Sequence, residues 1–231
     1  MRGARFWPIA TIAFGLATLA LLLGFSFLPA VRAAYPHGDF SQAMGAFQRV
    51  ATLSDLQLVF GAPADPARVA AMQAANTLDL FAFIPVYGCF LLAGAAMLAG
   101  GVRKKLAWLA LAPLFVGLIG DVLETTAQLR VTEDMARAAG ELPIAPYAWI
   151  KWFGLALSAA GASAICFLGE AKRPLLGVLG LAPLVVTLAA WFGLIRASSL
   201  LTLGFALFWL PLLVIAVRAV FSPSQARDAS P

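Results

Sequence analysis

The chain is poor in the residues that most soluble chemistry uses. It has one histidine, His37, two cysteines, Cys89 and Cys166, and only 12% charged residues among 231; an ordinary soluble domain has about 25%. A single histidine is too few for bis-histidine haem ligation, a histidine-rich metal site and the common intramembrane histidine-dependent hydrolases. The two cysteines stand singly in apolar runs with no CxxC spacing, so they read as small buried hydrophobes. The topology below sets them at different depths, and a disulfide needs Cα atoms within about 7 Å.

What is present is hydrocarbon. Hydrophobic residues make up 62% of the chain, and the mean hydropathy is +0.90. That balance excludes a soluble globular enzyme, a disordered chain and a disulfide scaffold. Six apolar runs reach the roughly 20 residues that a helix needs to cross about 30 Å of hydrocarbon. They are Phe6–Val31, Leu78–Gly101, Leu106–Leu129, Pro146–Leu168, Leu175–Ile195 and Leu200–Phe221. The expected fold is an all-α integral membrane bundle of six transmembrane helices, forming one domain over 1–221. The first run, at about 26 residues, is too long for the 7–15-residue apolar core of a signal peptide, so a retained span is expected.

The net charge is +5. Its basic residues lie mostly at the ends of the apolar runs, which is the pattern that orients membrane helices rather than one that binds nucleic acid. The side holding both termini, the 2–3 and the 4–5 connections carries nine basic and two acidic residues; seven basic and nine acidic residues remain. The positive-inside rule then places both termini in the cytoplasm. With an alanine- and leucine-rich composition, the expected location is a bacterial inner membrane. The expected partners are the lipid bilayer, other membrane subunits or further copies of the chain, with no cofactor. The tail 222–231 is expected to be cytoplasmic and mobile.

The 46-residue segment 32–77 is long for a structureless loop. Phe40, Met44, Phe47, Ala51 and Leu58 fall near helical spacing, and Ser54–Gln57 offers a capping box. Gly61 breaks the pattern. Asp65-Pro66 then starts a helix that runs into the second span. Amphipathic helices on the extracytoplasmic face follow from this reading. In the connection 130–145, Gly140 is a stop signal and Pro143 and Pro146 frame the start of span four.

Leu109–Leu118 matches Leu179–Leu188 at seven of ten positions. An internal repeat of helical hairpins accounts for this, as in many transporters. So does chance recurrence of leucine, alanine and proline, the simpler reading.

Ionisable groups inside a span are costly and each needs a reason. Span three holds Asp121 and Glu124, with Gln128 a turn later, at i, i+3 and i+7 on one helix face. Asp121 lies about 22 Å along that helix at ~1.5 Å per residue, in the outer third of the hydrocarbon. Asn76 and Asp79 begin span two at the same level, with Tyr87 deeper. Tyr147, Trp149, Lys151 and Trp152 begin span four, and Arg196 ends span five. The expectation is a polar pocket open to the outer side and walled by spans two, three and four, with Asp79, Tyr87, Asp121, Glu124, Gln128 and Lys151 as ligand-binding residues. Each has a plainer reading: Asp79 as a cap, Asp121 and Glu124 as a staple to Lys151 or Arg196, the aromatics as an interfacial belt, Lys151 snorkelling and His37 in an exposed loop. A metal, if any, would sit on Asp121 and Glu124, and oxygen ligands alone favour a hard cation over zinc.

The segment Leu78-Asp-Leu-Phe-Ala-Phe-Ile-Pro-Val-Tyr-Gly88, followed by Asp121-Val-Leu-Glu-Thr125, resembles a group of bacterial membrane proteins of unknown function with LDxxFIxxYG-like and DxxEN-like segments. The resemblance covers spans two and three and implies no activity. It singles out Asp79, Tyr87, Asp121 and Glu124. Thr125 stands where that group has asparagine, so no amide role carries over. The chain has no rhomboid-like Ser/His pair, no CDP-alcohol-transferase-like aspartate array and no Walker motif. Three functions are compatible with these residues: binding or transport of a small cation, proton or amphiphile; a non-catalytic accessory or assembly subunit; and an outer-leaflet lipid-modifying enzyme with a carboxylate base.

Overall fold

The computed structural model describes residues 5–101, 104–169, 172–195 and 198–221. Arg196 and the tail 222–231 fall outside these residues. The described chain is helical, without strands, and six of its helices are long and apolar enough to cross a membrane. Contact with a lipid bilayer follows.

Helix α1 spans Phe6–Gly24, and a short 3₁₀ turn carries it to Phe27. The first span therefore ends before the expected Val31. The cause is Pro29: the residue before a proline is driven out of the helical region, and Leu28 sits at ψ 127°. Helix α2 (Pro29–Ala34) restarts beyond the break. Then come α3 (Phe40–Phe47) and α4 (Leu53–Phe60), which build a cap over one end of the bundle. Phe47 and Phe60 meet edge to face at 5.0 Å, and with Val50, Met72, Val131 and Ile144 they form the buried core of this cap.

The expected helical spacing through this segment, with a restart at Ser54–Gln57, is corrected in two places. The chain turns at Gln48–Val50, so helical phase is lost and Leu58 faces outward at 81% exposure, while Leu56, Val59 and Phe60 are buried. The capping box sits at Thr52–Asp55, not at Ser54–Gln57. The Thr52 hydroxyl accepts the Asp55 amide at 3.2 Å, and the Asp55 carboxylate accepts the Thr52 amide at 2.9 Å. Asp65 caps the next helix as expected, accepting the Ala67 amide at 2.8 Å.

Helix α5 (Pro66–Leu78) passes without interruption through a π turn (Asp79–Phe83) into α6 (Ile84–Leu98). These 33 residues measure about 50 Å at ~1.5 Å each, so the helix rises well beyond ~30 Å of hydrocarbon and its first turns belong to the cap. The π turn has a local cause. Pro85 has no N–H to give and its ring would strike the carbonyl of Phe81 in an α turn. The register shifts instead, and the Ile84 amide reaches the Asp79 carbonyl five residues back.

Helix α7 (Lys104–Glu133) and α8 (Ala145–Leu168) form the most extensive helix pair among the described residues. Glycine makes this possible. A Cβ on Gly154 would strike the backbone of Gly117, one on Gly120 would strike the Lys151 backbone, and one on Gly161 the Leu109 carbonyl. Lipid supplies no hydrophobic drive between spans, so such small-residue seams are what let helices approach. Span five is broken at Gly180–Leu181 into α9 (Pro174–Leu179) and α10 (Ala182–Trp191). It ends short of the expected Ile195, where Gly193 turns the chain at φ +70°. The two ten-residue matching segments therefore differ in backbone: one lies inside continuous α7, the other straddles this break. Helix α11 (Ser198–Phe221) closes the ring against α10 and α1. Cys166 is buried as expected, but Cys89 is exposed on the outside of α6, because Gly88 and Phe90 take the inward positions.

Two outcomes are expected. Gly154→Leu should lower stability in a detergent melt by about 3 kcal/mol or more, beyond the usual ~1–3 for an overpacked side chain, because backbone blocks it; Gly24→Ala, with open space around it, should cause no loss. The Thr52 hydroxyl and the Ala51 and Thr52 amides hold the Asp55 carboxyl below its ordinary 3.8. The cap's contribution is then fully present above the unfolded value and is lost as pH falls through the lower folded value. Amide-exchange protection in the first turn of α4 should follow that course in wild type and be flat in Asp55→Asn.

Candidate functional site

The seam between α7 and α8 places a lysine among carboxylates. Asp121 and Glu124 project from α7, and Lys151 lies opposite on α8 because Gly120 lets the two backbones touch at that level. The Lys151 ammonium stands 3.1 Å from Asp121 Oδ1 and 2.5 Å from Glu124 Oε2. It also lies 4.8 Å from the centre of the Trp152 ring, within cation–π range.

Two further hydrogen bonds reach the carboxylates of this clamp, and a third holds Asp79 beside it. The Tyr87 hydroxyl, on α6, donates to Asp121 Oδ2 at 2.5 Å. Gln128 Nε2 donates to Glu124 Oε1 at 3.0 Å. The Thr125 hydroxyl donates to Asp79 Oδ2 at 3.1 Å, which ties the π turn to α7. Tyr87 is itself held by rings, stacked on Trp209 of α11 at 5.6 Å and tilted against Phe83 at 5.2 Å. Tyr87, Asp121, Glu124, Thr125, Gln128 and Lys151 are each at most 5% exposed.

All six expected site residues are thus brought into one connected cluster, but its form differs from the expected open pocket. The ammonium fills the space between two carboxylates and these three groups are enclosed, while Asp79, on the π turn, is only partly buried. Lys151 points inward and does not snorkel. Asp79 is not a helix cap: it lies in the interior of a continuous helix. Tyr147 packs against the cap core. Trp149 turns the other way, edge-on to Trp191 at 5.0 Å. Asn76 is fully buried, with neither amide atom hydrogen-bonded among the described residues.

Two participants escaped the sequence reading. Thr125 is one residue past Glu124 and four past Asp121, a spacing that puts it on the cluster face; that was the available signal. Trp209 gave none, since nothing in an apolar sixth span tells which neighbour it meets.

Three carboxylates against one ammonium leave two negative charges when all are ionised. Among the described residues Lys151 pairs with Asp121 and Glu124, and no cation stands within ion-pair distance of Asp79. An apolar surrounding of this kind disfavours uncompensated charge. Lys151 stands where a metal ion bridging Asp121 and Glu124 would, and among the described residues no group of three His, Cys, Asp or Glu is placed to hold one.

The chain matches no protein-family model, no curated protein and no solved structure.

Breaking a buried ion pair from one side costs about 3–5 kcal/mol, because the partner charge is stranded. Lys151→Met should lose that amount in chemical unfolding in detergent. Adding Asp121→Asn and Glu124→Gln should restore most of it, a non-additivity that independent sites would not give.

Proposed function

We propose that the protein binds and passes a small cation, a proton in the first instance, through the cluster on α7 and α8. The observation that carries this reading is the charge count: a buried lysine neutralises one of three gathered carboxylates, and among the described residues Asp79 has only the Thr125 hydroxyl for a hydrogen-bond partner. In this reading Asp121, Lys151 and Glu124 are the fixed clamp, and Asp79 is the exchangeable group. Its position supports that division. It sits on the one π turn of a long helix, next to Pro85, and such single wide turns recur at functional sites. Thr125 holds it by one neutral hydrogen bond, which is readily exchanged.

The chain is placed, in the same proposal, in a bacterial inner membrane with both termini cytoplasmic and the cap outside; the asymmetry of lysine and arginine supports it. The likeness of spans two and three to the bacterial group belongs here too, since it meets the cluster at Asp79, Tyr87, Asp121 and Glu124.

A second reading, an accessory or assembly subunit, is favoured by one observation: the clamp is closed and its oxygens are largely satisfied, as in a structural staple.

The test is flux in liposomes loaded with a pH-sensitive dye, under an imposed sodium or potassium gradient. Wild type should move protons, and Asp79→Asn should reduce the rate at least about tenfold, the effect of ~1.4 kcal/mol, with an unchanged melting temperature. Flux unaltered by Asp79→Asn would overturn the role given to Asp79. Absence of flux in wild type, with a partner chain retained on gentle extraction, would favour the accessory subunit.

A further inference from the structure

On the side of α7 and α8 facing away from Tyr87 lies a groove of about 570 Å³, within the ~300–1,000 Å³ of sites that hold small ligands. Its walls are Pro113 and Val116 of α7, Phe153 and Leu157 of α8 and the end of α10 at Trp191, with Trp149 at its cap end and Gly154 among its lining. Trp191 meets Trp149 and Phe153 edge to face, at 5.0 and 5.6 Å, which fixes one wall. The groove lies where span five is short and broken.

The groove is continuous with the face that meets the bilayer. Val116, Ile150, Leu157 and Trp191 are exposed there, beside Val185 and Leu188 of α10. From Trp149 to Leu157 it runs eight residues, about 12 Å at ~1.5 Å each, close to the ~15 Å depth of one leaflet. A second copy's helix does not suit it. Helices close on one another through small residues, and here Gly117 and Gly154 are already spent on each other beneath a rim of tryptophan, phenylalanine and leucine.

We propose that this groove is a binding site for one acyl chain of a bilayer lipid, lying along α8 with its glycerol end at Trp149 and Trp191. Amphipathic tryptophans sit at that level in membrane proteins, and an apolar slot open to hydrocarbon is filled by hydrocarbon. The site is independent of the cation reading of the cluster. It touches the same seam, however: Gly154 abuts Gly117, one turn from the Gly120–Lys151 contact.

The test is photolabelling in phosphatidylcholine vesicles containing a small share of a diazirine-acyl phospholipid, with cross-links mapped by peptide mass spectrometry. Labels should concentrate several-fold on Val116 and Leu157, and reach the half-buried Phe153, over Leu207 and Val214, which are exposed on α11 as much as Val116 and Leu157 are on the groove. Val116→Trp/Leu157→Trp should fill the groove and remove both that excess and any lipid retained in native mass spectrometry; both side chains face outward, so melting should change little. Even labelling of all exposed apolar residues in wild type would overturn the proposal, whether or not the double variant folds. So would protection of the groove together with cross-links between two copies.

Discussion

Everything in this molecule is arranged around one buried ammonium. Lys151 sits in an apolar bundle, where an unpaired charge costs several kcal/mol even after relaxation. It is tolerable only if carboxylates stand on both sides, and Asp121 and Glu124 supply them from a single face of α7. That geometry needs two helix backbones in contact, which needs glycine at positions 117, 120 and 154. The seam, the ion clamp and the groove behind it are consequences of the same close approach.

Span two is the adaptable partner of this rigid pair. Its 33 residues reach from the cap to the far end of the bundle, so it couples the folded cap to the cluster. Pro85 forces the wide turn, and the wide turn sets Asp79 opposite Thr125. Tyr87, two turns along, ties the clamp to Trp209 and so to the last helix.

The six spans were legible because twenty consecutive apolar residues have few alternatives. Asp121, Glu124 and Gln128 were legible because helical arithmetic puts them on one face, and Lys151 because a charge inside a span demands a partner. Direction was not legible. In water, the polar stripe of a helix tells which way it faces; in hydrocarbon, lipid and protein interior are equally apolar, so the facing of Trp209, Cys89 and Trp149 left no trace. The break at Leu28 was written in Pro29 but outweighed by the hydropathy of the run. The cap register was lost at Gln48–Val50, where no glycine or proline marks the turn, and Leu58 went with it.

The most direct test of the account is solid-state NMR of the protein in bilayers, with lysine labelled at Nζ and aspartate and glutamate at their carboxyl carbons. Only four lysines are present, and Lys151→Arg assigns the signal. The account predicts a rigid, protonated Nζ with dipolar couplings to one aspartate and one glutamate carboxyl, each lost in Asp121→Asn or Glu124→Gln. A mobile Lys151 Nζ that exchanges with water and couples to neither would contradict it.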